Sequence, residues 1–128
     1  DPINYAPFWF KRSGHWNQKP TSVLVTSGKN DTMTPHETAE ALASAAGMGI
    51  VSPAMNEPVS HSLQKLDVYP PPVQNNLVGF HEEQVTGALS QWPDGNHFVV
   101  FDIPEAAIMY RDFLRGAADG APSIDNAQ

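Results

Sequence analysis

At 128 residues, with 41% apolar and only 16% charged side chains, the chain has a globular composition and enough length for one core. A formal charge of −7, with only seven Lys plus Arg and no basic cluster beyond Lys11-Arg12, repels phosphate backbones and anionic lipid, which argues against nucleic-acid and polybasic membrane partners. No apolar run approaches the roughly 18 residues of a membrane helix, and the absence of cysteine removes thiol catalysis, Cys-ligated zinc and internal disulfides.

Residues 1–20 are rich in aromatics and turn formers. Asp1-Pro2 suits the start of a short helical turn, because Asp accepts N–H bonds at a cap and Pro tolerates the first position. Residues 21–27 centre on Val23-Leu24-Val25, apolar on both faces, the pattern of a strand covered on both sides in a parallel sheet. Gly28-Lys29-Asn30-Asp31 follows as a short loop. Thr34 and Glu37 have the spacing of a capping box, with Pro35 at the first helical position. Ala39, Leu42, Ala43 and Ala46 form one apolar stripe, and Gly47 ends the helix. Strand, tight loop and helix make half of a βαβ unit.

Across residues 48–84, Pro53, Pro58 and Pro70-Pro71-Pro72 forbid long elements, and the segment reads as an extended surface excursion with one helical turn near residues 60–65. Residues 85–92 form a second strand candidate. The turn Pro93-Asp94-Gly95-Asn96-His97 follows, then Phe98-Val99-Val100-Phe101-Asp102, which reads as short and extended. Pro104 opens a closing helix over residues 103–114, with Ala107, Ile108, Phe113 and Leu114 on its apolar side and Gly116 as its terminator. Residues 117–128 read as a frayed tail.

Two loops are alike in position. Each follows a strand and precedes a helix, and each presents one ionisable group, Asp31 in the first and His97 in the second. In an open parallel sheet such loops share the carboxyl rim, where sites collect. A carboxylate beside an imidazole there fixes its tautomer and stabilises the imidazolium. The plainer alternatives are a turn role for Asp31 and a partly buried histidine in a Gly-Asn turn for His97. Asp94 and Asp102 are the competing acids. His36 is expected to face solvent, and His61 and His81-Glu82-Glu83 lack the spacing of a metal site. Phe8, Trp9, Phe10 and Trp16 suit packing.

The segments from Ser22 through Ala43 and from Asp94 through Leu114 resemble the last part of the α/β-hydrolase family. There a hydrophobic strand leads to a Gly-x-x-Asp turn, a Pro and an Ala-rich helix, and a Gly-x-His followed by an aromatic precedes a Pro-Glu-Ala helix. The family order of nucleophile, acid and histidine is respected for the last two members. The match covers residues 21–47 and 85–115, about half the chain.

The resemblance implies an α/β fold, the carboxyl-terminal portion of a mostly parallel sheet with flanking helices. The implied organisation is an irregular lead-in (1–20), a strand–acid loop–helix unit (21–47), a Pro-rich excursion (48–84), a strand–histidine loop–helix unit (85–116) and a tail (117–128). It also implies a serine hydrolase of carboxylic esters, lipase- or esterase-like, with Asp31 and His97 catalytic, Phe8 and Trp9 lining an acyl pocket, and no cofactor or metal. No G-x-S-x-G pentapeptide occurs; Ser13 and Ser27 each touch only one glycine. The nucleophile is therefore expected on an amino-terminal part of the same hydrolase, the chain's implied partner together with a small-molecule or lipid ester. A start at Asp1-Pro2 rather than Met fits a proteolytic fragment, and few lysines with twelve prolines lean toward a secreted or periplasmic protein. Two parallel strands would leave bare edges and so want that partner. The alternative is a noncatalytic α/β-hydrolase-like module that binds or scaffolds.

Overall fold

The computed structural model describes residues 1–14 and 18–125; Trp16, one of the aromatic candidates, and the last residues of the tail lie outside that set. In chain order the elements are β1 (Val23–Gly28), α1 (His36–Ala46), β2 (Gly49–Val51), α2 (Val59–Gln64), β3 (Val68–Tyr69), β4 (Leu77–Val78), β5 (Gln84–Val85), β6 (Gly87–Trp92), α3 (Val99–Asp102) and α4 (Pro104–Ala118). Single 3-10 turns at Pro2–Asn4 and Ala6–Phe8 lead in, and the Asp1 carboxylate caps the first by accepting from the Ile3 N–H at 3.0 Å.

Four strands form one parallel sheet in the order β1-β6-β2-β3. β6 runs beside β1 from Val23↔Gly87 to Gly28↔Trp92, so the two strands end level and deliver their following loops to the same rim. β4 and β5 form a separate antiparallel pair. The chain is thus mixed α/β with a mostly parallel sheet and flanking helices.

Alternate residues of each strand serve opposite cores, as the period of two demands. On the α1 face Val23, Val25, Ile50 and Leu89 meet Ala39, Leu42, Ala43 and Ala46. On the α4 face Leu24, Val51, Ala88 and Trp92 meet Met109, Phe113 and Ile124. Each large apolar side chain buried this way contributes about 1.5–3 kcal/mol.

Several expectations are corrected. The excursion at 48–84 is not merely a surface cover, because β2 lies inside the sheet with all three residues buried. Phe98–Asp102 is largely helical rather than extended: the Asp102 and Ile103 N–H groups reach back to the Phe98 and Val99 carbonyls. α4 continues past Gly116 to Ala118 and buries Ala106, Met109 and Phe113, while Leu114 stays exposed. Gly116 is needed there for another reason: a Cβ would press on the Ala121 carbonyl at 2.7 Å, where the chain folds back. That returning chain is not frayed throughout, since Ile124 is fully buried and bridges to Val73. Gly47 ends α1 as expected, in the left-handed region at φ 78°.

Candidate active site

The site is built where β1 and β6 end. Gly28 closes β1, and a Cβ there would collide with the backbone of Gly95 and Asn96. Its absence lets the loop after β6 press onto the end of β1. Backbone bonds staple the contact: the Lys29 N–H donates to the Trp92 carbonyl at 3.1 Å and the Asn30 N–H to the Gly95 carbonyl at 2.8 Å. The Asn30 side-chain amide adds a bond to the Pro93 carbonyl at 3.3 Å.

This joins Asp31 and His97. The Asp31 Oδ2 accepts a hydrogen bond from Nδ1 of His97 at 2.9 Å. Its other oxygen, Oδ1, accepts from the Met33 and Thr34 N–H groups, each at 2.8 Å. The turn role and the imidazole role are therefore not alternatives, because one carboxylate does both with different oxygens. The bond to the Thr34 N–H occupies one of the two donors that the expected Thr34–Glu37 capping box would use, and the box does not form. The donors before α1 already have a partner, and α1 begins at His36 behind Pro35 with no side-chain cap.

Partial burial raises the Asp31 pKa, but the Thr34 N–H, the His97 hydrogen bond, the Met33 N–H and the His97 charge outweigh it, and the net shift is downward. An ionised carboxylate only accepts, so Nδ1 carries the proton and neutral His97 keeps a basic Nε2. The Asp31 side chain is 11% exposed and that of His97 38%, so the acid is sheltered and the imidazole is reachable.

Asp102 is not the acid of this pair: it accepts from Nδ2 of Asn96 at 3.0 Å, while Oδ1 of Asn96 accepts from the Phe98 N–H at 2.6 Å. Asn96 thereby clamps the backbone on either side of His97 to α3. Asp94 makes no bond to His97.

A cavity of about 190 Å³ fronts the pair, with Ser27, Thr34, Asn96 and Val99 in its wall. Ser27 is buried within β1, away from any strand-to-helix elbow. Among the described residues no hydroxyl is hydrogen-bonded to Nε2 of His97. Phe8 and Trp9 do not border this cavity; Trp9 packs against the α1-side core, and Phe8 sits on the second 3-10 turn.

Of the other histidines, His36 pairs with Glu37 at 3.3 Å and is half-buried rather than free in solvent. His61 is buried. Among the described residues no three His, Asp or Glu side chains gather to hold a metal ion, and no helix is long and apolar enough to cross a membrane.

Sequence reasoning picked out Asp31 and His97 but missed Gly28, Asn30, Gly95 and Asn96, which set their distance. The signal was present in Gly-Lys-Asn-Asp and Asp-Gly-Asn-His, each a glycine and an asparagine beside the ionisable residue. Comparison with protein-family models, with curated proteins and with solved structures finds no match to this chain.

Proposed function

We propose that the chain supplies the acid and the histidine of a Ser-Asp-His triad in an α/β-hydrolase-type serine esterase or lipase, in a secreted or periplasmic setting. The single observation that supports this is the 2.9 Å bond between Asp31 and Nδ1 of His97 on the carboxyl rim of parallel strands. A serine on the amino-terminal part of the same hydrolase attacks the ester carbonyl, and Nε2 of His97 takes its proton. The imidazolium returns that proton to the departing alkoxide, and water repeats the sequence to free the acid. Asp31 stays ionised and holds the ring. No cofactor enters these steps.

The place for the absent part is the outer edge of β1. Among the described residues β1 pairs with β6 alone in the sheet, and Val23, Leu24, Val25 and Thr26 are only half-buried where a parallel strand is normally covered. Phe98 and Phe101 near it are 51% and 79% exposed, and Tyr110 and Leu114, one turn apart on α4, are 42% and 49% exposed.

The noncatalytic module remains the second reading, favoured by an Nε2 with no hydroxyl bonded to it among the described residues. Hydrolysis of a short-chain p-nitrophenyl ester by the chain joined to its nucleophile-bearing part separates the two. His97→Ala is expected to lower kcat by about 10⁴–10⁶-fold and Asp31→Asn by about 10³–10⁴-fold, with Ser27→Ala close to wild type. Full activity in His97→Ala would remove the catalytic reading.

A further inference from the structure

A second cavity opens on the same rim, one strand further across. It holds about 330 Å³, at the small end of the roughly 300–1,000 Å³ range of ligand sites. Pro53, Ala54 and Met55 of the loop after β2 form one wall, Trp92 and Pro93 at the end of β6 another, and Met109 of α4 closes the side. It shares no lining residue with the cavity at Asp31 and His97.

Its polar groups are few and unequal. Gln91 borders the cavity but has nothing left to offer. Its Oε1 accepts from the Met55 and Asn56 N–H groups at 2.9 and 3.3 Å, and its Nε2 donates to Glu40 and Asn56 at 3.0 and 3.2 Å. Those bonds pin the loop after β2 and make the apolar wall a preformed one. The remaining polar margin is Ser52, Ser90 and the exposed carboxylate of Glu105. The serine hydroxyls both donate and accept, so Glu105 alone sets the charge of the margin, and on a chain of formal charge −7 it favours a donor and disfavours an anion.

We infer that this cavity binds a neutral amphiphile of medium length, an alkyl or aryl group bearing a hydroxyl. The apolar body lies against Pro53, Ala54, Met55, Trp92 and Met109, and the hydroxyl donates to Glu105. The inference stands apart from the esterase reading, because it uses neither Asp31 nor His97.

The four methionines provide the test. Met55 and Met109 border the cavity, Met33 is 69% exposed elsewhere, and Met48 is fully buried in the opposite core. With methyl-labelled methionine, titration with 1-octanol is expected to shift the Met55 and Met109 signals saturably and leave Met33 and Met48 in place. Octanoate at pH 7 should bind at least about tenfold more weakly, and Glu105→Gln, at an exposed position, should narrow that gap to about threefold or less. Ala54→Phe, which fills the space, should abolish the octanol shifts, while His97→Ala should leave them unchanged. Shifts that do not saturate, that move all four methyls together, or that favour octanoate would overturn the inference.

Discussion

The sheet ends on β3 with two residues followed by Pro70-Pro71-Pro72, and on β1 with six residues that carry no proline and no lysine and, among the described residues, pair with β6 on one side alone. A short edge strand running into prolines is a blunted edge; a long apolar strand with an unpaired row of N–H and C=O groups is an open one. The two sides also differ in what they hold. Beside the open edge stand Asp31 and His97, a reachable imidazole tied to a carboxylate. Away from that edge Glu40 on α1, Gln91 on β6 and His61 on α2 are shielded from water. The comparison teaches that the accessible ionisable pair is kept at the open margin of the sheet, while the interior polar groups are buried.

The largest expected effect tests whether the margin is built by close backbone approach. Gly28→Ala places a methyl within 2.6 Å of backbone atoms of Gly95 and Asn96, a separation that real Cβ atoms do not tolerate, so the loop must lift. Misplacement on the order of 1 Å costs about 100-fold in rate, so under the proposed esterase reading ester hydrolysis by the chain joined to the nucleophile-bearing part is expected to fall by about that factor. In the chain alone, the downfield resonance of the His97 Nδ1 proton should move upfield. A retained rate and an unmoved resonance would show that the glycine contact does not set the Asp31–His97 distance.

A smaller effect concerns the open edge itself. Phe101 and Leu114 are solvent-exposed, so replacing each with serine should change the stability of the chain by no more than about 0.5 kcal/mol. If the edge receives the nucleophile-bearing part, the double variant should bind that part at least about tenfold more weakly by calorimetry. Equal binding would move the docking face away from α3 and α4. Phe113, buried on the other side of the same helix, offers the contrast: its truncation to alanine should cost about 3–5 kcal/mol of folding stability and leave no soluble partner to measure.

What could be read in advance follows the same division. β1, α1, β6 and the two rim loops announced themselves, because Val-Leu-Val, the alanine stripe and the Gly-x-x-Asp and Gly-Asn-His turns are local signals. β2 and β3 were not legible. Gly49-Ile50-Val51 is three residues long and becomes a strand only because β6 and β3 flank it, a tertiary choice that no local pattern encodes. Val99–Asp102 carries β-branched residues and reads as extended, yet the approach to α4 winds it into a helical turn. The capping box meets a competitor in Asp31, whose carboxylate holds the Thr34 N–H that the Glu37 side chain would need.

The smallest effect lies away from the open edge, at His61. The residue sits on α2, 2% exposed, and among the described residues neither ring nitrogen has a well-formed hydrogen bond. Burial lowers its pKa, and the Met48 carbonyl and the Glu40 charge oppose that shift without cancelling it. A lowered histidine pKa means that the unfolded chain takes up the proton first. As pH falls through about 6.5, the unfolded value, the unfolded state gains and stability declines until the folded-state pKa is reached. Asp31 has the opposite sign and a separate window: its pKa is lowered by the bonds it accepts, so its contribution is lost only below about pH 4. Urea unfolding of wild type and His61→Leu at pH 7.5 and 5.5 isolates the histidine. The variant removes two unsatisfied nitrogens and should be at least as stable at the higher pH; at the lower pH its advantage should grow. Parallel losses in the two proteins would mean that His61 protonates in place, paired with Glu40, and that the interior cluster tolerates charge as readily as the rim does.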